Sequence, residues 1–126
     1  MNEVLNLSDK TILIVEDEYV NTQYLVELLT PTKALLLYAA TAEEAIALCE
    51  SNPEIDLVLM DIKLPDENGF TVTELIRKKR ADLPIIAQTA YAFAEDRSRA
   101  LKAGCNDYIA KPIRGCDLIA LIHKYI

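Results

Sequence analysis

Acidic, hydroxyl and ammonium side chains stand at or just after the ends of four short apolar segments. Glu16 and Asp17 follow the first segment, Asp61 the third, Thr89 the fourth and Lys111 the fifth. Two carboxylates held ~4 Å apart repel each other by roughly 4 kcal/mol at an effective dielectric of 20, so a site that gathers them needs a cation or a proton. A carboxylate nucleophile, a cation, a hydroxyl and an ammonium are the groups that phosphoryl transfer uses.

The candidate ligands for such a cation are all oxygen atoms. No histidine or cysteine is expected beside them, and hard oxygen ligands favour Mg²⁺, with Mn²⁺ as the alternative, over zinc. Each residue taken singly has an ordinary explanation, because a lone Asp after a strand is more often a turn former or a helix cap. Only their joint occurrence at the strand ends predicts a site.

The elements that must position these residues are five short apolar segments rich in β-branched residues. The predicted strands are Thr11–Val15, Ala34–Tyr38, Asp56–Met60, Leu83–Ala87 and Asn106–Ala110. Several are apolar at consecutive positions, which predicts strands covered on both faces, as in a parallel sheet.

Segments with helical spacing lie between the strands. They comprise the apolar stripe Val20, Tyr24, Leu25, Leu28 and Leu29 that Pro31 ends, a helix from the capping box Thr41–Glu44 through Cys49, Phe70–Lys79, Phe93–Ala103 closed by Gly104, and Asp117–Tyr125. This alternation predicts a doubly wound α/β fold. With strand order 2-1-3-4-5, the first and third strands are neighbours, so their acidic residues meet at the switch point where ligands bind.

The bulk composition limits the classes of function. The 126 residues suit one domain, predicted over residues 10–126 after a frayed lead-in at residues 1–9, and 52% hydrophobic content is ample for a core. A net charge of −7 argues against nucleic-acid binding. Cys49, Cys105 and Cys116 have no paired spacing, so we interpret them as small buried hydrophobes of a reducing compartment. With neither a signal peptide nor an apolar run of ~20 residues, we expect a cytoplasmic location, or the cytosolic part of a membrane-anchored sensor, without membrane contact by this domain.

Several longer stretches carry a resemblance to a known family. They are Ile12–Asp17, Leu59–Pro65, Asn68–Gly69, Pro84–Tyr91, Ala103–Tyr108 and Lys111–Pro112. Over Thr11–Ile126 the chain resembles the receiver domains of response regulators in two-component phosphorelays. Residues 84–91 and 104–113 are most similar to the receivers of hybrid sensor histidine kinases. The resemblance implies a flavodoxin-like receiver fold, with five helices around the five-stranded sheet.

The resemblance also implies the role of each acidic residue. Asp61 would be the phosphoacceptor, attacking a phosphohistidine to form an acyl phosphate. Mg²⁺ would be held directly by Asp17 and Asp61, through water by Glu16, and by the backbone carbonyl of Lys63. Lys111 would pair with the phosphoryl group.

Further implied features concern the conformational response. The Lys111–Pro112 peptide bond would be cis, an isomer found in only ~5–6% of X–Pro bonds. Thr89 would turn inward to bond a phosphoryl oxygen, and Tyr108 would follow it, so both are the predicted switch residues.

Glu16 stands where Asp is frequent in the family, and the bulky residues Lys63 and Tyr91 concern the lifetime of the phosphorylated form. Lys63 and Tyr91 lie two residues beyond Asp61 and Thr89, where they flank the path of water to the acyl phosphate. We therefore predict slow self-dephosphorylation.

The implied partner is a histidine kinase or a histidine phosphotransfer domain. The sequence favours the receiver segment of a hybrid histidine kinase over a stand-alone response regulator, and kinase activity would belong to the chain only in the hybrid case. A haloacid dehalogenase-like phosphatase is disfavoured, because Lys63 stands where that family places its second Asp. The oligomeric state stays open.

Overall fold

The computed structural model describes residues 5–90 and 94–126, without the side chains of residues 94–96. One parallel sheet in the order β2-β1-β3-β4-β5 confirms the predicted architecture. The strands are β1 (Thr11–Val15), β2 (Leu35–Ala39), β3 (Ile55–Asp61), β4 (Ile85–Thr89) and β5 (Asp107–Ala110). The helices are α1 (Tyr19–Leu29), α2 (Ala42–Ser51), α3 (Gly69–Lys79), α4 (Ala94–Ala103) and α5 (Gly115–Tyr125).

Some element boundaries differ from prediction. The largest difference among the strands is β4, which begins two residues after the predicted Leu83. Pro84 has no backbone N–H to give to a ladder, and the Leu83 carbonyl accepts from Arg77 Nη1 at 2.6 Å instead. Leu83 therefore belongs to the turn before the strand. The predicted helix start at Phe93 lies outside the described residues.

The two faces of the sheet carry separate cores, because successive strand residues point to opposite sides. Leu13, Val58 and Met60 pack with α2, α3 and α4, whereas Ile12 and Leu59 pack with α1 and α5. All five residues of β1 are buried, as consecutive apolar positions predicted, and all five of β4 are buried although Gln88 and Thr89 are polar. The described helices include none with the length and apolarity that a bilayer crossing requires.

Three expectations about exposure are wrong in part. Leu7, placed in the frayed lead-in, is 2% exposed and its N–H donates to the Thr32 carbonyl at 2.7 Å, so it belongs to the α1–α5 core. Val20 and Tyr24 of the predicted apolar stripe are 75% and 43% exposed. Cys116 is exposed, whereas the other two cysteines are buried.

Gly69, the first residue of α3, has no room for a side chain beside the end of β3. A Cβ atom on Gly69 would lie 2.2 Å from the Asp61 carbonyl oxygen and 2.8 Å from the Ile62 Cα. The Gly69 N–H donates to the Ile62 carbonyl at 2.8 Å, which draws the start of α3 against the end of β3. The glycine thus holds α3 close to the strand that ends in Asp61.

We predict that Gly69→Ala lowers the free energy of unfolding by about 1–3 kcal/mol, because backbone atoms must shift to admit the methyl group. Gly115→Ala is the matched control at the first position of α5, where the new methyl would meet only the flexible end of Leu28 at 3.0 Å. Urea unfolding of both variants and the wild type measures the difference. Equal changes in the two variants would contradict the prediction.

Candidate functional site

Acidic residues from two neighbouring strands meet at the carboxyl edge of the sheet. Val15 pairs with Met60 in the parallel ladder of β1 and β3, so Glu16 and Asp61 follow at the same level. One carboxylate oxygen from each of Glu16, Asp17 and Asp61 lies within 4.8 Å of the others. The sheet order therefore brings together the acids that the sequence predicted.

These acids differ in exposure. Glu16 and Asp61 are 4% and 5% exposed, whereas Asp17 is exposed to solvent. Asp61 Oδ1 accepts from the Lys63 N–H at 3.2 Å, and Glu16 Oε2 accepts from the Glu18 N–H at 3.3 Å. A cation that approaches from solvent meets Asp17 first and the buried pair behind it.

Lys111 supplies positive charge to the buried acids. Its Nζ atom lies 2.9 Å from Glu16 Oε1 and 3.5 Å from Asp61 Oδ1. The backbone N–H of Lys111 donates to the Thr89 carbonyl at 2.7 Å, and the bond from Lys111 to Pro112 is cis, the isomer that the resemblance implied. The ammonium thus bridges the ends of β1 and β3 from the end of β5.

Burial and the local charges shift the pKa values of Glu16, Asp61 and Lys111. Burial raises the pKa of Asp61 to about 7, and its hydrogen bond and like charge with Glu16 act in the same direction. Burial also opposes ionisation of Glu16, but hydrogen bonds with Asp61 and Lys111 outweigh it and lower the pKa of Glu16. Burial would lower the pKa of Lys111, yet both acids together raise it. The two acids therefore share the positive charge of Lys111, and Asp61 is the acid that tends to hold a proton.

The predicted switch residues lie on the two strands beyond Asp61. Thr89 ends β4 one residue after Gln88, the ladder partner of Asp61, and it is 7% exposed. Tyr108 on β5 is half-buried, with the Arg97 guanidinium 5.6 Å from the centre of its ring. Both are near the acidic edge in the sheet, but on different strands from the acids.

Sequence reasoning missed two residues near the site, one for its contacts and one for its burial. Asp66, in the loop after β3, accepts from the backbone N–H groups of Ala42 and Glu43 at 2.8 and 3.2 Å and so caps α2. Its partners are over 20 residues away, so the sequence held no signal of this contact. Gln88 is a polar residue buried within β4. The predicted strand ended at Ala87, one residue earlier, so the sequence did not place this amide in a buried strand.

The donor set fits a hard divalent cation. Carboxylate oxygens within 4.8 Å of one another can share one ion, and Mg²⁺ is commonly held by one or two carboxylates while it keeps several waters. Glu16, Asp17 and Asp61 each offer one such oxygen, and the backbone of Lys63 is adjacent to Asp61. The positive charge would also offset the repulsion that keeps a proton on Asp61.

We predict that Asp61→Asn stabilises the metal-free protein more at pH 8 than at pH 5. The folded Asp61 keeps its proton up to about pH 7, whereas in the unfolded chain it would lose the proton near the ordinary pKa of 3.8, so the stability of the wild type falls as pH rises through that window. Each pKa unit corresponds to about 1.4 kcal/mol, so the gain at pH 8 is at most about 4 kcal/mol.

Urea unfolding in chelator at both pH values measures this difference. Asp9→Asn is the control, because Asp9 is exposed and loses the same charge. An Asp61→Asn variant that is less stable than the wild type at pH 8 would contradict the prediction.

Similarity to known proteins agrees with this site. The model of the response regulator receiver domain family matches residues 12–123. An uncharacterized 14.6 kDa protein of Leptolyngbya boryana is 37% identical over 122 residues, which cover 94% of this chain and 92% of that protein. The polar-differentiation response regulator DivK of Brucella ovis is 34% identical, over 93% of this chain and 96% of DivK. Hybrid signal transduction histidine kinase L of Dictyostelium discoideum is also 34% identical, over 90% of this chain but only 7% of that kinase.

Solved structures show the same fold. The receiver domain of a sensor histidine kinase from Pseudomonas aeruginosa, with a magnesium ion coordinated in its active-site cleft, has a TM-score of 0.84 and 34% identity over 92% of this chain and 96% of that one. A CheY-like receiver domain protein from Methanospirillum hungatei has a TM-score of 0.84 and 36% identity, over 91% of each chain. On these matches, and on a sheet order and acidic edge that agree with them, the chain belongs to the response regulator receiver domain family.

Proposed function

We propose that this receiver domain accepts a phosphoryl group on Asp61 from the phosphohistidine of a histidine kinase or a phosphotransfer domain. The observation that carries the proposal is the position of the Asp61 carboxylate. It lies among acidic oxygens within 4.8 Å of one another, and its Oδ1 atom is 3.5 Å from Lys111 Nζ. A nucleophile, a cation site and an ammonium thus stand within reach of one phosphoryl group.

In the proposed step an Asp61 oxygen attacks phosphorus. The new bond is the O–P bond of an acyl phosphate, and the P–N bond breaks. Its electron pair goes to the imidazole nitrogen, and the ring leaves neutral because its other nitrogen carries a proton. Mg²⁺, with Mn²⁺ as the alternative, would be held by Asp17, Asp61 and the Lys63 carbonyl, with Glu16 reaching it through water, and would neutralise charge on the transferring oxygens.

Ionised Asp61 is the reactive form, since a carboxylate is a much stronger nucleophile than the protonated acid. Without a cation, burial and Glu16 raise the pKa of Asp61 to about 7. Added positive charge beside the acids favours the carboxylate. Binding of the cation and readiness of the nucleophile are therefore coupled in this proposal.

The product carries charge that its neighbours must accommodate. A phosphoryl group adds about −1.5 to −2 charge and three strong acceptor oxygens. Lys111, now 2.9 Å from Glu16, would turn to the phosphoryl group, and the Thr89 hydroxyl would donate to another of its oxygens. Tyr108, half-buried on the neighbouring strand, would follow Thr89 inward and change the surface of β5.

The biological setting is proposed from the relatives. Similarity extends both to receiver segments of hybrid kinases, of which this chain spans 7% in one case, and to DivK, of which it spans 96%. We retain the hybrid kinase segment as the first proposal and the stand-alone regulator as the second, with a cytoplasmic location in either case. Lys63, in place of a second Asp, continues to disfavour a haloacid dehalogenase-like phosphatase.

We predict that acetyl phosphate with Mg²⁺ adds about 80 Da to the intact protein, the mass of one phosphoryl group. Intact-mass spectrometry should show no addition in Asp61→Asn or in the presence of EDTA, and normal addition in the exposed control Asp9→Asn. Unaltered phosphorylation of Asp61→Asn would reject Asp61 as the acceptor. Sustained hydrolysis of p-nitrophenyl phosphate would support the phosphatase instead.

We also predict that Lys63→Ala and Tyr91→Ala shorten the half-life of the phosphorylated form. Lys63 is exposed two residues beyond Asp61, where its side chain can shield the acyl phosphate from water; Tyr91 lies outside the described residues. Decay of the added mass after removal of the phosphodonor measures the half-life. The same decay rate in both variants and the wild type would reject this shielding.

A further inference from the structure

A buried glutamine interrupts the face of β4 that packs toward α1 and α5. Gln88 is 1% exposed, and neither its Oε1 nor its Nε2 atom has a hydrogen-bond partner among the described residues. Ile86, two positions earlier on the same face, belongs to the apolar core on that side. A buried amide without a partner is strongly disfavoured, and a methionine of similar length would avoid that penalty. The amide therefore points to something that it binds.

A cavity of about 110 Å³ lies beside Gln88, between α1 and the segment that follows β5. Its other lining residues are Asn21, Tyr24, Leu25, Lys111, Pro112 and Ile113. The Tyr24 hydroxyl donates to the Ile113 carbonyl and so joins the two walls. At ~30 Å³ for each water molecule, this volume suits about three waters.

The charges around the cavity select a neutral ligand. Lys111 lines it and disfavours a second cation. An anion is disfavoured as well, because Lys111 Nζ already lies 2.9 Å from Glu16 and 3.5 Å from Asp61, whose charges repel it. Water both donates and accepts, so it matches the carbonyl and amino ends of the Gln88 amide together with the ammonium.

We propose that this cavity is a built water site, in which Gln88 anchors two or three waters that hydrogen-bond the Lys111 ammonium. Gln88 is then a positioning residue for Lys111. The ammonium has three N–H donors, and carboxylate oxygens stand near two of them. Water at the third donor keeps the lysine solvated while it exchanges Glu16 for a phosphoryl group. This second part rests on the proposed phosphorylation of Asp61.

The water site is tested on the whole chain without any phosphodonor. A high-resolution crystal structure should show waters within hydrogen-bond distance of both the Gln88 amide and Lys111 Nζ, and Gln88→Met should lose them. The melting temperature of Gln88→Met should stay at or below that of the wild type, because the amide it removes is satisfied. Ile86→Met is the matched control on the same face of β4. A dry cavity, or a Gln88→Met protein that melts several degrees higher, would overturn the water site.

The positioning role is tested by the rate of phosphorylation with acetyl phosphate. Gln88→Met should react about fivefold more slowly, the effect of losing one hydrogen bond of ordinary strength, with unchanged apparent affinity for Mg²⁺. Gln88→Asn, which keeps the amide, and Ile86→Met should react at nearly the wild-type rate. A Gln88→Met protein as fast as the wild type would overturn the positioning role. Failure of the wild type itself to react would overturn the proposed function and this role together, while the crystal structure still decides the water site.

Discussion

The structure depends on how the repulsion between two buried carboxylates is offset. Glu16 and Asp61 are almost fully buried at adjacent strand ends, and the ammonium of Lys111 lies between them. Burial of unpaired charge is strongly unfavourable. The two acids must therefore share one lysine and, without a cation, a proton. Burial and the remaining negative charge raise the pKa of Asp61. A divalent cation or a phosphoryl group would change this balance of charge.

The fold maintains this arrangement through the backbone rather than through flexible side chains. The parallel pairing of β1 and β3 sets the acids level with each other, and Gly69 lets α3 start against the Asp61 carbonyl. Asp66 attaches the far end of the same loop to the start of α2. Because the loop is held at both ends, the chain has few ways to move the acids apart. Their repulsion is therefore reduced by binding of a cation or a proton and not by rearrangement.

The opposite side of the site is built differently. Lys111 follows β5, donates its backbone N–H to the Thr89 carbonyl and lines the same cavity as Gln88, and its ammonium pairs with Glu16 and Asp61. Tyr24 links α1 to the backbone beyond Pro112. The receiver thus combines acids placed by strand pairing on one side with a lysine that reaches them from beyond β5 on the other.

The sequence alone determined the α/β class and the acids at the strand ends, because apolar runs, helix caps and strand-end residues are local features. It also indicated the cis bond before Pro112 through resemblance. Tertiary structure decided the rest. Ladder pairing set the limits of β4. Packing against α1 buried Leu7 and left Val20 exposed to solvent. The capping of α2 by Asp66 joined residues distant in the chain. Which of the acids tends to hold the proton was likewise out of reach, since burial and the distance to Lys111 exist only once the strands have assembled.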